Sequence, residues 1–166
     1  TGAELDAYFV DALASRVGAQ FIYASGDSDY TSFYEGNTGG LGTAFLPVSA
    51  YTPMLVFTPR LSNIFFGRLL YSFKPFIGSD SEAAQNIQIE VSAAPFFRSV
   101  PGPISAGGTA AGSSSLYLGT EADLVIRARP LSDLGLGLSF GIFFPGTAMT
   151  DPTIRMLGRF ELSLSI

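Results

Sequence analysis

Alternation of apolar and polar residues near the end of the chain constrains the fold most. Residues 116–130, 134–146 and 154–166 each alternate with a period of two. Between Leu134 and Phe144, for example, every even-numbered residue is apolar, whereas the odd-numbered positions are mostly glycine or serine. Because successive side chains of a β-strand point to opposite sides, this pattern predicts long strands with one apolar and one polar face.

Strand length and composition indicate which face meets water. Strands in soluble proteins have about 5–6 residues, whereas about 9–11 tilted residues cross a bilayer. The chain has 166 residues, of which 47% are hydrophobic and 14% charged, and a mean hydropathy of +0.35. Soluble domains average about 25% charged residues. With no run of about 18 apolar residues, a transmembrane helix is excluded. The sequence therefore predicts an all-β, antiparallel transmembrane β-barrel in a bacterial outer membrane, with its apolar face against lipid.

The residue types that are absent from the sequence exclude several kinds of chemistry. The chain has no cysteine and no histidine, which removes disulfides, thiol and Ser–His catalysis and the commonest transition-metal ligands. No isolated carboxylate pair resembles a catalytic site, so we expect no enzyme, no metal and no cofactor. A net charge of −5 argues against a nucleic-acid partner. The chain begins with Thr1 and carries no leader, so we expect it to be processed or truncated.

Four earlier segments also alternate, which gives seven predicted strands in all. They are residues 3–11, 15–25, 63–76 and 86–99. Residues 2–16 are also compatible with a helix, but the resumed alternation favours a hairpin. Pro95 predicts a β-bulge or a rim position, because proline has no N–H for the ladder. In the fifth strand the alternation places Leu116 and Leu118 on the apolar face, and Tyr117 on the polar face.

Two long loops interrupt a single domain that spans residues 1–166. Residues 26–61 are rich in Gly, Ser, Thr and Pro but contain apolar side chains that need cover, so we expect this loop to pack on or into the barrel. Residues 100–114 form the second loop. Because barrels have short periplasmic turns and long outer loops, the alternation of connection lengths makes the first strand begin outside. This predicts either part of a larger barrel or an eight-stranded barrel with one unrecognised strand.

Charged residues concentrate on the polar faces of the predicted strands. This set is predicted to line the lumen: Arg16, Arg68, Lys74, Glu90, Arg98, Glu121, Asp123, Arg127, Arg129, Arg155, Arg159 and Glu161. The functional interpretation is a water-filled pore whose arginines attract anions or acidic polymers. The alternative interpretation is that Arg–Glu pairs fill and brace the lumen.

Two short motifs resemble binding loops only superficially. Gly26, Asp27, Ser28 and Asp29 resemble a fragment of a calcium loop but lack the remaining ligand spacing. The glycines of residues 135–141 alternate within a strand, where they widen or curve a lumen.

Several segments resemble the C-terminal part of the alginate-export type of outer-membrane barrel. They are YASGDSD at 23–29, SNIFFGRLLYSFKPF at 62–76, LYLGTEADLVIRARPLSDLGLGLSFGIFFPG at 116–146 and the closing strand. The resemblance implies a barrel of about 18 strands whose electropositive lumen passes an anionic polysaccharide, with earlier strands or another chain completing it. For Glu121, Asp123, Arg127 and Arg129 the resemblance implies only that they line the pore. The final Ile166 departs from the usual terminal aromatic residue, and the lumen is less basic than an alginate pore requires.

Three functions remain open from the sequence. The first is a porin-like channel or exporter for anions or an acidic polysaccharide. The second is a structural or adhesive surface barrel with a plugged lumen and binding loops, as a subunit of a larger assembly. The third is a soluble β-sandwich binding module.

Overall fold

The chain forms an all-β structure with one short helix. The computed structural model describes residues 1–11, 13–27, 29, 42–47, 51–106, 108–110 and 112–165. Within them the strands are β1 (Gly2–Phe9), β2 (Ser15–Ala24), β3 (Ile64–Phe73), β4 (Gln88–Phe97), β5 (Tyr117–Leu131), β6 (Leu134–Pro145) and β7 (Arg155–Leu164), and the helix is α1 (Glu82–Gln85). None of the helices in this part of the chain is both long and apolar enough to cross a membrane.

The strands form one open antiparallel sheet in which each pairs with its neighbours in sequence, in the order β1 to β7. The prediction of seven antiparallel strands is confirmed. The helical alternative for residues 2–16 is wrong, because β1 and β2 form a hairpin in register from Gly2–Ile22 to Phe9–Ser15. β1 and β7 are the two edges and do not pair with each other, so the described strands do not close into a barrel.

The register assigns each strand residue to one of two faces. The face that carries Glu4, Arg16, Arg68 and Glu90 is called the polar face, and the opposite side the apolar face. Within the seven strands the apolar face carries no Asp, Glu, Lys or Arg. Its large exposed residues are Leu5, Phe9, Val17, Phe21, Tyr23, Leu69, Tyr71, Val91, Leu124, Leu131, Leu138, Phe140, Phe144, Met156, Phe160, Leu162 and Leu164. The predicted separation of charge between the faces is therefore present in the sheet.

A β-bulge next to Pro95 corrects the predicted faces at the start of β5. The pairing of β4 with β5 shifts between Phe96 and Phe97, so that Phe97 pairs with Tyr117. As a result Tyr117 lies beside Phe97, with ring centroids 5.4 Å apart, and Leu118 is completely buried in the core. The assignment of Leu118 to the apolar face and Tyr117 to the polar face was wrong, because the alternation takes no account of the extra residue that a bulge inserts.

The hydrophobic core lies against the polar face at one end of the sheet. This loop end is where the connections 25–63, 98–116 and 146–154 meet; the other end, with the three shorter turns, is the turn end. The buried apolar residues come from strands and loops together: Ala24, Met54, Phe57, Ile64, Phe66, Ala94, Phe96, Ile104, Leu118, Phe143, Ala148 and Met149. The expectation that the loop 26–61 packs on the sheet is confirmed for residues 51–61; residues 30–41 and 48–50 lie outside the described residues.

Two polar side chains join the loops at this end. Asn63 has a φ of 49°; its Nδ2 donates to the Pro103 carbonyl over 3.1 Å, and its Oδ1 accepts from Val100 N over 3.0 Å. Arg98 donates to the carbonyls of Gly102, Ser113 and Ser115. These bonds satisfy buried backbone groups that no ladder reaches.

We predict that Gly119→Val destabilises the sheet more than Gly158→Val. Gly119 has a φ of 144°, and a Cβ there would lie 2.5 Å from the Phe143 ring and 2.5 Å from the Phe144 carbonyl oxygen. A Cβ at Gly158 meets nothing within 4 Å. Backbone strain alone costs about 1–3 kcal/mol, so urea unfolding in detergent should show at least that loss for Gly119→Val. Equal midpoints for the two variants would contradict the bulge geometry.

Candidate functional site on the polar face

The structure brings most of the predicted lumen residues onto one face of the sheet. Those whose polar-face position follows directly from the strand register are Arg16, Arg68, Glu90, Glu121, Asp123, Arg127, Arg155, Arg159 and Glu161. Lys74 and Arg129 line a cavity on the same side at the turn end. Arg98 follows β4 and belongs to the loop end. That this face lines a pore stays a prediction.

Ion pairs between neighbouring strands neutralise part of the positive charge. Arg16 Nε lies 2.9 Å from Asp6 Oδ1. Glu90 lies between two cations, 3.3 Å from Arg68 and 3.5 Å from Arg127. Pairs of this kind contribute about 0–1 kcal/mol when exposed, so they set local charge more than stability. Arg–Glu pairs of the kind expected are therefore present at Glu90, and another lies on β7, where Arg159 is 3.5 Å from Glu161.

Glu121 and Asp123 bind backbone rather than arginine. The two carboxylate oxygens of Glu121 accept from Val56 N over 2.5 Å and Phe57 N over 2.6 Å. Asp123 Oδ2 accepts from Leu55 N over 3.1 Å. Glu121 is 0% exposed, so it offers no surface to a solute. These three bonds fix residues 51–61, called the covering segment from here on, across the polar face.

Aromatic contacts and a hydrogen bond hold the covering segment against the sheet. Phe57 stacks on Phe143 with centroids 4.5 Å apart and an interplanar angle of 8°, and it meets Phe96 edge-on at 5.1 Å. Tyr51 Oη donates to Gln20 Oε1 over 2.7 Å. Such ring pairs add about 0.5–1.5 kcal/mol beyond the area they bury. The covering segment therefore fills the loop-end half of the polar face.

Gly141 makes room for this segment. A Cβ at Gly141 would lie 2.6 Å from Asp123 Oδ1, 2.8 Å from Val56 Cγ2 and 3.1 Å from Leu55 Cβ. Sequence reasoning placed this glycine on the polar face but did not predict that a loop lies on it. The available signal was the apolar run 54–57 inside an otherwise polar loop.

The Arg98 side chain is buried and is not accessible to a solute. It is surrounded by backbone carbonyls and is 2% exposed. Burial without a carboxylate partner among the described residues lowers the pKa of its guanidinium from the usual value. Arg98 therefore orders the loop 98–116 and presents no charge to a solute on the polar face.

The turn-end half of the polar face remains open. A cavity of about 910 Å³ lies between β5, β6, β7 and the turn after β3, and its basic and amide lining residues are Lys74, Asn86, Gln88, Arg127 and Arg129. Gly135 and Gly137 contribute to its lining on β6. Among the described residues, neither Lys74 nor Arg129 lies within 4.0 Å of a carboxylate.

Asp27, in the motif that resembles a calcium loop, is bonded to backbone N–H groups. Asp27 accepts from Thr43 N over 2.8 Å and from Asp29 N over 3.0 Å; Ser28 lies outside the described residues. In the part of the chain that the structure describes, no group of three or more potential ligand residues is placed to hold a metal ion.

Comparison with known proteins adds no assignment. No protein-family model matches the chain, and no curated protein matches it significantly.

We predict that Glu121→Ala releases the covering segment. The substitution leaves Val56 N and Phe57 N without acceptors, at about 1–3 kcal/mol for each buried donor left unsatisfied, whereas Glu121→Gln keeps one acceptor oxygen. Because the chain has no cysteine, a nitroxide on Thr58→Cys reports the segment alone. The mobility of this nitroxide should increase in the order wild type, Glu121→Gln, Glu121→Ala.

Glu161→Ala is the matched control for this measurement. Glu161 is an exposed carboxylate of the same face, and its removal touches no bond of the covering segment. If Glu161→Ala mobilises the label as much as Glu121→Ala, the anchoring role of Glu121 is wrong.

Proposed function

We propose that the sheet is part of an outer-membrane β-barrel channel that passes anions, including acidic polysaccharides. The single observation that carries the proposal is the distribution of charge over the two faces of the strands. The apolar face carries none, although Phe160 is 69% exposed and Leu5 75% exposed. An exposed apolar surface across seven strands requires cover, and lipid is the cover that suits an uncharged face on strands of 8 to 15 residues.

A row of aromatic side chains supports a membrane boundary at the loop end. On the apolar face Tyr23 pairs with Phe65, Phe65 with Phe97, and Phe97 with Tyr117. The Phe65 and Phe97 rings are 5.0 Å apart. Aromatic residues are enriched where a barrel meets the membrane–water interface. This row is the level at which we place the outer surface of the bilayer.

Strand direction constrains how the barrel closes. In a sheet of seven antiparallel strands, β1 and β7 run in the same direction. Pairing them directly, or joining copies of this sheet head to tail in one orientation, would create a parallel seam. Since transmembrane barrels of this class are antiparallel, closure takes an odd number of additional strands, from the same polypeptide or another chain. The alginate-export resemblance implies such a larger barrel.

The covering segment favours a second candidate, a surface barrel whose lumen is plugged. Residues 51–61 fill the loop-end half of the polar face through Glu121, Asp123 and Phe143. In the channel this segment narrows the passage, whereas in the surface barrel it closes the passage and the loops bind a partner. The two functions differ in whether ions cross the membrane.

Conductance in a planar bilayer tests the proposal. Full-length protein purified from outer membranes should give discrete current steps and, in a salt gradient, a reversal potential that favours chloride over potassium, because three cations and one carboxylate line the turn-end cavity. Heat-unfolded protein and lipid alone serve as controls. Folded protein that gives no current would contradict the channel and favour the plugged barrel. Protein that stays monomeric in buffer without detergent would contradict both.

A further inference from the structure

Six of the eight basic residues that were predicted to line the lumen fall into two groups; the other two, Arg155 and Arg159, lie on β7. In the first group the positive charge is already compensated or enclosed: Arg16 pairs with Asp6, Arg68 pairs with Glu90, and Arg98 is buried among carbonyls. The second group lies at the turn end, where Lys74, Arg127 and Arg129 line one cavity.

The charge of the cavity lining is positive. Lys74, Arg127 and Arg129 supply three positive charges, and Glu161 is the one carboxylate among the lining residues. Glu161 already has a cation outside this group, because Arg159 Nη1 lies 3.5 Å from its Oε1. Arg127 shares Glu90 with Arg68 at 3.5 Å, so one carboxylate serves two guanidinium groups. Among the described residues no carboxylate lies within 4.0 Å of Lys74 or Arg129, so the cavity has two cationic groups without a direct ion-pair partner.

The geometry of the lining favours an anion with more than one charged group. Arg127 and Arg129 are two residues apart on one strand and so lie about 7 Å apart along it. Each guanidinium matches the two oxygens of a phosphate or carboxylate, and Lys74 adds a point charge. Gln88 and Asn86 bring amide N–H donors to the same cavity.

Glycine keeps this part of the face open. Gly135 and Gly137 lie on β6 where a side chain would intrude: a Cβ would lie 2.4 Å from Ser163 Oγ at Gly135 and 3.4 Å from Glu161 Cβ at Gly137. Further along the same strand, Gly141 accommodates the covering segment. No segment of the described chain lies on the turn-end glycines, and a volume of about 910 Å³ is in the range of ligand sites.

We infer that this cavity is a binding site for multivalent anions bearing phosphate or carboxylate groups, formed by Lys74, Arg127 and Arg129. The inference rests on the proposed function for its role in transport, where the site gathers anions at the turn-end entrance of the channel. Binding itself does not require an open passage, since the site lies on the side of the sheet that the covering segment leaves free.

Calorimetric titration of the full-length protein in detergent with inorganic pyrophosphate, and separately with citrate, tests the site. Wild type should bind at least one of the two. Arg129→Gln should weaken that binding about tenfold, the loss expected for one charge-assisted hydrogen bond. Arg60→Gln removes the same charge from an exposed loop position outside the cavity and should change the affinity less than twofold.

Two results would overturn the site: no binding of either probe by folded wild-type protein, or equal weakening by Arg129→Gln and Arg60→Gln, which would indicate diffuse attraction. Gel mobility of unheated samples establishes that each variant is folded. The outcome is independent of the conductance test. Binding without current removes the channel and keeps the site, whereas current without binding removes the site and keeps the channel.

Discussion

Confinement of charge to one face of a seven-stranded sheet is the constraint on which the rest of the structure depends. A charged side chain facing lipid near the middle of a bilayer costs about 2–4 kcal/mol for Arg or Lys, whereas the same side chain facing water costs little. The strands of this protein place all their charged residues on the polar face and leave large apolar residues exposed on the other. The loops then pack on the polar face, so the buried core forms on the side that also carries the arginines.

Carboxylates have two different tasks on that face. On β1 and β4, Asp6 and Glu90 pair with arginines and reduce local positive charge. On β5, Glu121 and Asp123 instead accept backbone N–H groups of the covering segment. This difference divides the face into a filled loop end and an open turn end. Under the proposed function, selectivity and closure depend on different residues, and the proposed anion site lies in the open half.

The strands were predictable from the sequence because alternation reports side-chain direction directly. Ile89, Val91 and Ala93 point to the opposite face from Glu90 and Ser92, independently of the loop conformation. The exchange of Tyr117 and Leu118 between faces was not predictable in detail, because Pro95 suggested a bulge but did not fix which partner residue it would displace. The open edges at β1 and β7 follow from pairing between strands, which no single strand encodes.

The charged residues of the site were found in sequence, but their environments were not. The anchoring of the covering segment depends on backbone N–H donors, which have no sequence signature, and on the space above Gly141. Whether an arginine is paired or free depends on cross-strand register: Arg68 lies near Glu90, whereas Arg129 has no carboxylate opposite it. The difference between Arg98, which is enclosed by carbonyls, and Arg127, which lines a cavity, is evident only from the three-dimensional structure.

Contact of the apolar face with lipid can be measured by nitroxide scanning of residues 156–164 in lipid vesicles. Single cysteines along β7 would be compared for collision with oxygen, which partitions into lipid, and with a water-soluble nickel chelate. Lipid contact predicts oxygen maxima at the even positions, including Phe160, and nickel maxima at the odd positions, including Arg159 and Glu161. Nickel access at every position, or the opposite phase, would contradict it.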